Sequence, residues 1–175
     1  MKKILTFVFL LIFVSLTNAQ VLVEENFDYP VGDSLTQHGW LAHSGAGLVP
    51  VMVIGGNLNY ANYPLSGIGN MTQLNGGGGS REDINLPFTN QTSGSVYFSF
   101  LVNVDTASTG DYFFNMGPNP IATSFRGRVF VKHSDIGKFV FGLAQSSSNV
   151  TYTTETYDYK TTYLLVMEYE FVPAT

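Results

Sequence analysis

From residue 82 onward, apolar and polar residues alternate one by one over several stretches. A period of two sends successive side chains to opposite faces of an extended chain. The run 95–104 is the clearest. Val96, Phe98, Phe100, Val102 and Val104 share one face, and Ser95, Ser99 and Asn103 share the other. The run 82–88 places Ile84, Leu86 and Phe88 together, with Pro87 on the opposite parity. Proline cannot donate to a ladder, so Pro87 marks an edge strand or a bulge. Residues 111–116, 127–133 and 138–144 read as three more strands, with Phe139, Phe141 and Leu143 on one face of the last. Ser134-Asp135-Ile136-Gly137 has the length and chemistry of a hairpin loop. The longest late run, 162–172, sets Tyr163, Leu165, Met167, Tyr169 and Phe171 against Leu164, Val166, Glu168 and Glu170. Residues 45–75 are rich in Gly and Asn, with apolar islands at 49–54 and 65–74, and predict short strands joined by irregular loops. No stretch sustains a 3.6-residue apolar period. Many short strands at close spacing predict an all-β chain, an antiparallel β-sandwich.

The start of the chain has another pattern. Lys2 and Lys3 precede an apolar run over 4–16 broken only by Thr6 and Ser15, and Thr17-Asn18-Ala19-Gln20 follows. This is the layout of a secretory signal peptide over 1–19, cut after Ala19, with one domain over 20–175. The run is shorter than the ~20 apolar residues that span a bilayer. No second long apolar run follows, so the mature chain is expected to stay out of the membrane, and no cysteine exists to carry a lipid. Loss of Lys2 and Lys3 leaves six basic residues against 13 acidic ones, moving the net charge from −5 to −7. The short basic leader fits a bacterial exported protein, either extracellular or at the cell surface.

Composition removes several function classes. Charged residues make up 12% of the chain and aromatics 14%, the reverse of the disordered signature of many charges and few aromatics. The absence of cysteine excludes a disulfide scaffold and Cys-based metal sites. The acidic balance argues against nucleic acid as a partner, because phosphate neutralisation needs basic residues in excess.

Two segments carry a family resemblance. Glu25-Asn26-Phe27-Asp28-Tyr29-Pro30-Val31-Gly32-Asp33-Ser34-Leu35, followed by Gly39-Trp40, resembles the opening of secreted bacterial domains of the concanavalin A-like lectin/glucanase superfamily. The run Leu41-Ala42-His43-Ser44-Gly45-Ala46-Gly47 extends the likeness, with Tyr63-Pro64, Ser66-Gly67-Ile68-Gly69-Asn70, Gly110-Asp111-Tyr112-Phe113-Phe114 and Gly127-Arg128-Val129-Phe130-Val131-Lys132. Together these are similar to N-terminal domains of cell-surface proteins from Bacteroidetes-like bacteria, often exported by the type IX pathway. The resemblance implies a jelly-roll sandwich but selects no single function, because the superfamily holds lectins, hydrolases, lyases and adhesive modules. It also implies further strands and a sorting domain after the strand matching 163–172. The chain is therefore expected to be a fragment of a longer protein, with its first strand, 21–27, short of a neighbour and with other domains of that protein as partners.

Candidate chemistry is sparse. Glucanases of the superfamily carry three acids on one strand, whereas Glu168-Tyr169-Glu170-Phe171-Val172 holds two. Alternating strands normally turn such charges to solvent. His38 and His43, near Asp33, lack a recognised metal spacing. Gly76-Gly77-Gly78-Gly79 lacks the Gly-Lys-Thr of a phosphate loop, and no Gly-x-Ser-x-Gly elbow occurs. The resemblance also implies a structural calcium ion, for which Glu25, Asp28 and Asp105 are available as oxygen ligands, though no dense Asp run is present. The surplus is aromatic, and sugar rings pack their C–H faces on Trp and Tyr. Tyr60 and Tyr63, flanked by Asn57, Asn59 and Asn62, together with Trp40 and Tyr112, are the candidate glycan-binding residues. A sole Trp is usually highly buried, so Trp40 is expected first to close the core near the N-terminal turn, and Tyr60 and Tyr63 are the better surface candidates. The expected function is a non-catalytic module that binds a polysaccharide or other glycan. A structural or adhesive module is the alternative, and a glycoside hydrolase is third.

Overall fold

The computed structural model describes residues 19–76, 80–146 and 149–172. Apart from Ala19, the expected leader over 1–19 lies outside the described residues, as do 77–79 of the glycine run. The chain is all-β. One 3-10 turn, Leu35–His38, precedes β1 (Leu41–Ser44), β2 (Val53–Ile54), β3 (Met71–Thr72) and β4 (Asp83–Asn85). The longer strands are β5 (Gly94–Asn103), β6 (Asp111–Met116), β7 (Arg126–His133) and β8 (Lys138–Ala144). The short β9 (Thr151–Tyr152) and β10 (Tyr157–Asp158) lead to β11 (Thr162–Phe171).

Every strand pair is antiparallel. β5 and β11 form a ten-residue ribbon with no register shift, from Thr162 opposite Asn103 to Phe171 opposite Gly94. β6, β7 and β8 are the long strands of a second sheet, with β7 and β8 at its centre and β6 at its edge. The β7–β8 hairpin closes over residues 134–137, with Gly137 at φ 77 supplying the left-handed residue of the turn. β9 and β10 lie along β8: Tyr152 opposes Gly142 and Tyr157 opposes Phe139. The chain spends two more residues than β8 between those pairs, so 153–156 bulge out. β1 pairs β4, and β2 pairs β3, as two small ribbons.

Phe139 and Phe141 pack inward as their pattern demands, whereas Leu143 on the same parity is 48% exposed, past the end of the aromatic cluster. Phe139, at 0% exposure, centres one cluster with Val104 and Phe141. Val102, Val131, Tyr157, Tyr159, Tyr163 and Leu165 surround it, joining the β5–β11 ribbon to the β6–β8 sheet. Rings of Phe98 and Phe100 meet Phe114 at 5.6 and 4.9 Å. A second cluster of Leu35, Val51 and Val53 is capped by Phe27, Tyr29, Trp40 and Ile84.

Two further expectations need correction. Residues 21–27 form no strand. Phe27 sits at φ 54, outside extended geometry, and the Glu25 carboxylate takes its amide at 2.7 Å, so this backbone turns onto its own side chain. The expected strand over 82–88 is cut to Asp83–Asn85 and stops before Pro87, where the missing N–H ends a ladder. Ile84, Leu86 and Phe88 remain half-buried.

Candidate functional site

The N-terminal segment is organised by one acid. Glu25 accepts hydrogen bonds from the Phe27 amide at 2.7 Å, the Tyr29 hydroxyl at 3.0 Å and the Trp40 indole N–H at 3.0 Å. Burial, then the hydrogen bond to Glu25, pushes the Tyr29 phenol above its ordinary pKa. Tyr29 stacks on His38 at 4.0 Å, and His38 Nε2 meets Asp33 at 2.9 Å. Trp40 is thereby fixed, with its inner face against the Leu35 cluster.

Its other side lines a groove of about 620 Å³, a volume typical of small-molecule sites. Leu41, Ser34, Thr36, Gln37 and Glu82 also face this groove. The hydroxyls of Ser34 and Thr36 are 3.0 Å apart, and Gln37 Oε1 accepts the Ser34 amide at 2.9 Å. Glu82 is 7% exposed. Its carboxylate accepts the Gly47 amide at 2.8 Å and the Val51 amide at 3.4 Å, which satisfies a buried acid with backbone donors. Gly45 lies at φ 58 with its α-carbon pressed on the Arg81 carbonyl, a position closed to any Cβ. This approach brings the 45–48 turn onto Glu82. The groove thus joins one aromatic wall to several hydrogen-bonding groups.

The other sequence-named residues lie elsewhere. Tyr60 is exposed, and its amide donates to Ser66 Oγ at 2.6 Å. The Tyr63 hydroxyl reaches Ser99 on β5 at 3.0 Å. Asn57 holds the same loop by donating to the carbonyls of Gly67 and Gly69 at 3.1 and 3.4 Å. Tyr112 belongs to β6 and contacts Phe125 and Phe130, with centroids 6.1 and 5.8 Å away. No contact among the described residues joins Trp40, Tyr60, Tyr63 and Tyr112 into one platform.

Tyr112 belongs to a cluster that the alternation pattern did not reveal. The Arg128 guanidinium lies 4.6 Å from the Tyr112 centroid and 5.0 Å from that of Phe125. The two centroids are 6.1 Å apart, so the rings flank the guanidinium as a tilted pair and do not sandwich it. The His43 ring abuts Phe125 at 6.1 Å. Arg128 Nε, His43 Nδ1 and Asn85 Oδ1 are buried with no hydrogen-bond partner among the described residues. A cation–π contact contributes about 0.5–2 kcal/mol. A buried polar group left unpaired costs about 1–3 kcal/mol, and more when it is charged. The rings therefore do not offset the loss by themselves. His43 lies at a bulge in β1, and β6 bulges immediately after Tyr112. Bulges re-aim side chains and are frequent beside functional sites. The signal available in sequence was the parity of Arg128 and Lys132, which share one face of β7.

The acids offer less chemistry. Glu168 and Glu170 are exposed on β11. Hydrogen bonds from Ser95 and from the Tyr97 hydroxyl, the latter at 2.8 Å, hold Glu168 below the usual carboxylate range. A glycosidase general acid needs the opposite shift. Of the calcium candidates, Glu25 directs its oxygens at three hydrogen-bond donors, and no group of three His, Asp or Glu suited to a metal occurs among the described residues. In comparisons with known proteins, no family model, no curated protein and no solved structure matches the chain.

Proposed function

We propose that this chain is a secreted, non-catalytic carbohydrate-binding module of the bacterial cell surface, built as a concanavalin A-like jelly-roll sandwich. The observation that carries the reading is the Trp40 groove. A tryptophan fixed through its indole N–H by Glu25 presents a rigid apolar wall beside Ser34, Thr36, Gln37 and Glu82. A sugar ring needs that combination: an aromatic face for its C–H groups and nearby polar groups for its hydroxyls. The leader pattern at 1–19 supports export. The antiparallel sheets and their shared aromatic cluster support the sandwich.

A glycan array probed with the purified chain tests the reading. Binding to at least one polysaccharide class is expected, with loss of about tenfold or more in affinity for a Gln37→Ala, Leu41→Ala double variant, the scale set by a hydrogen bond plus an apolar contact. Leu41 is 54% exposed, so its truncation spares the core. An array without any bound glycan would sink the carbohydrate reading and favour a structural or adhesive module.

A further inference from the structure

After loss of Lys2 and Lys3 the chain keeps six basic residues, and four of them are Arg126, Arg128, Lys132 and Lys138 on β7 and β8. No acidic residue lies in either strand. Arg128 and Lys132 share one face of β7, four residues and about 13 Å apart along the strand with Phe130 between them. Arg126 lies beyond the bulge at Gly127, whose φ is 52. Arg128 and Lys132 differ from Lys138, which is paired with Asp158. Arg128 makes no ion pair or hydrogen bond with the described residues and has a buried, unpartnered Nε. Lys132 faces only the Tyr152 ring, 5.1 Å from its centroid. His43 adds a second unpartnered nitrogen beside Phe125.

In a chain with so few cations and such an excess of acids, uncompensated cations on one strand face are a selective feature. We infer that the β7 face carrying Arg128 and Lys132, with His43 beside it, binds the carboxylates of a uronate-bearing polysaccharide. Arg128 is the principal contact. A guanidinium has a planar donor fork that matches a carboxylate, whereas an ammonium is a point charge. The Tyr112 and Phe125 rings hold the guanidinium plane and offer apolar surface to the sugar ring that bears the acid. β1 links this face to the Trp40 groove: His43 follows Trp40 by three residues, about 10 Å of extended chain. The inference rests on the carbohydrate reading for its ligand class and adds the requirement for negative charge. A nucleic acid is the other extended anion to consider, and the acidic balance of the whole chain disfavours it.

The test measures binding of the purified chain to three probes by calorimetry: oligogalacturonate, the same oligomer as its methyl ester, and single-stranded DNA. Oligogalacturonate should bind about ten- to a hundredfold more tightly than the ester, the range for hydrogen bonds to a charged group. Arg128→Gln should abolish that preference, and Arg128→Lys should restore it only in part. The wild-type protein supplies a readout independent of whether either variant folds. The Arg128 Nε–H signal in a proton–nitrogen spectrum should move on adding galacturonate and stay still with its methyl ester. Equal binding of acid and ester overturns the inference and leaves the carbohydrate reading intact. DNA bound as tightly as oligogalacturonate also overturns it, in favour of a general polyanion site. An array without glycan binding, together with no binding of either oligomer, overturns both.

Discussion

Glu25 accepts hydrogen bonds from three different donors within the N-terminal cluster. Glu25→Ala removes all three acceptors and leaves an amide, a phenol and an indole N–H without this partner. We expect a loss of about 2–4 kcal/mol, because polar groups stripped of a charged partner each cost of order 1 kcal/mol or more when partly buried. Denaturant unfolding followed by the emission of Trp40, the sole tryptophan, measures it directly. A loss under about 0.5 kcal/mol, the range of neutral surface substitutions, would show that the three bonds are incidental. Glu168 gives a pH-dependent counterpart. Its folded pKa is lowered by hydrogen bonds from Ser95 and then Tyr97. The stabilisation it supplies is present above its unfolded value of 4.5 and is lost as pH falls through the lower folded value. Wild type should therefore exceed Glu168→Gln in thermal stability at neutral pH, with the gap closing only below pH 4.5. A gap that persists unchanged into stronger acid would contradict this origin. Tyr97 shows the same bond from the other side. Its hydrogen bond to Glu168 raises the phenol pKa above 10.0, so phenol ionisation should move down in the Gln variant.

Among the elements, β8 carries the greatest load. Phe139 is fully buried between Phe141, Tyr157, Tyr159 and Tyr163, with ring centroids 5.0 to 6.1 Å away. Phe139→Ala should cost about 3–5 kcal/mol, the usual range for an emptied aromatic site. Equilibrium unfolding should show that loss, and a cost below about 1 kcal/mol would mean that the cluster collapses into the space. Strands of this kind were legible in sequence. β5, β6, β7, β8 and β11 each run six residues or more, long enough for the sequence alternation to mark them as strands, although burial itself does not alternate along β7 and β8. β1, β9 and β10 were not legible, because two to four residues cannot display a period and a bulge at His43 breaks the parity. The family resemblance implies a strand over 21–27, whereas side-chain bonding to Glu25 decides its backbone. The site residues follow the same division. Trp40 and Tyr112 could be named by type alone, but the grouping of Arg128, Phe125 and His43 depends on strand pairings and on loops distant in sequence.

The whole molecule is acidic, yet its basic residues concentrate on one hairpin. That asymmetry separates two kinds of binding by their response to salt. Apolar stacking in the Trp40 groove should be insensitive to ionic strength, whereas carboxylate contacts on β7 should weaken as the Debye length shrinks from about 10 Å at 0.1 M to about 3 Å at 1 M. Oligogalacturonate affinity should therefore fall over that range while affinity for a neutral glycan of the array holds. Equal salt sensitivity for both ligands would mean that the two regions do not divide the work as described.

Trp40 itself tests the central claim most directly. It is the sole tryptophan and lines the groove, so under native conditions its emission reports on that surface. Titrating the purified chain with the best glycan from the array should give a saturable change in emission, and the Gln37→Ala, Leu41→Ala variant should shift its midpoint about tenfold or more to higher concentration. An emission unchanged while calorimetry records glycan binding would place the sugar elsewhere on the molecule and contradict the groove as the binding site.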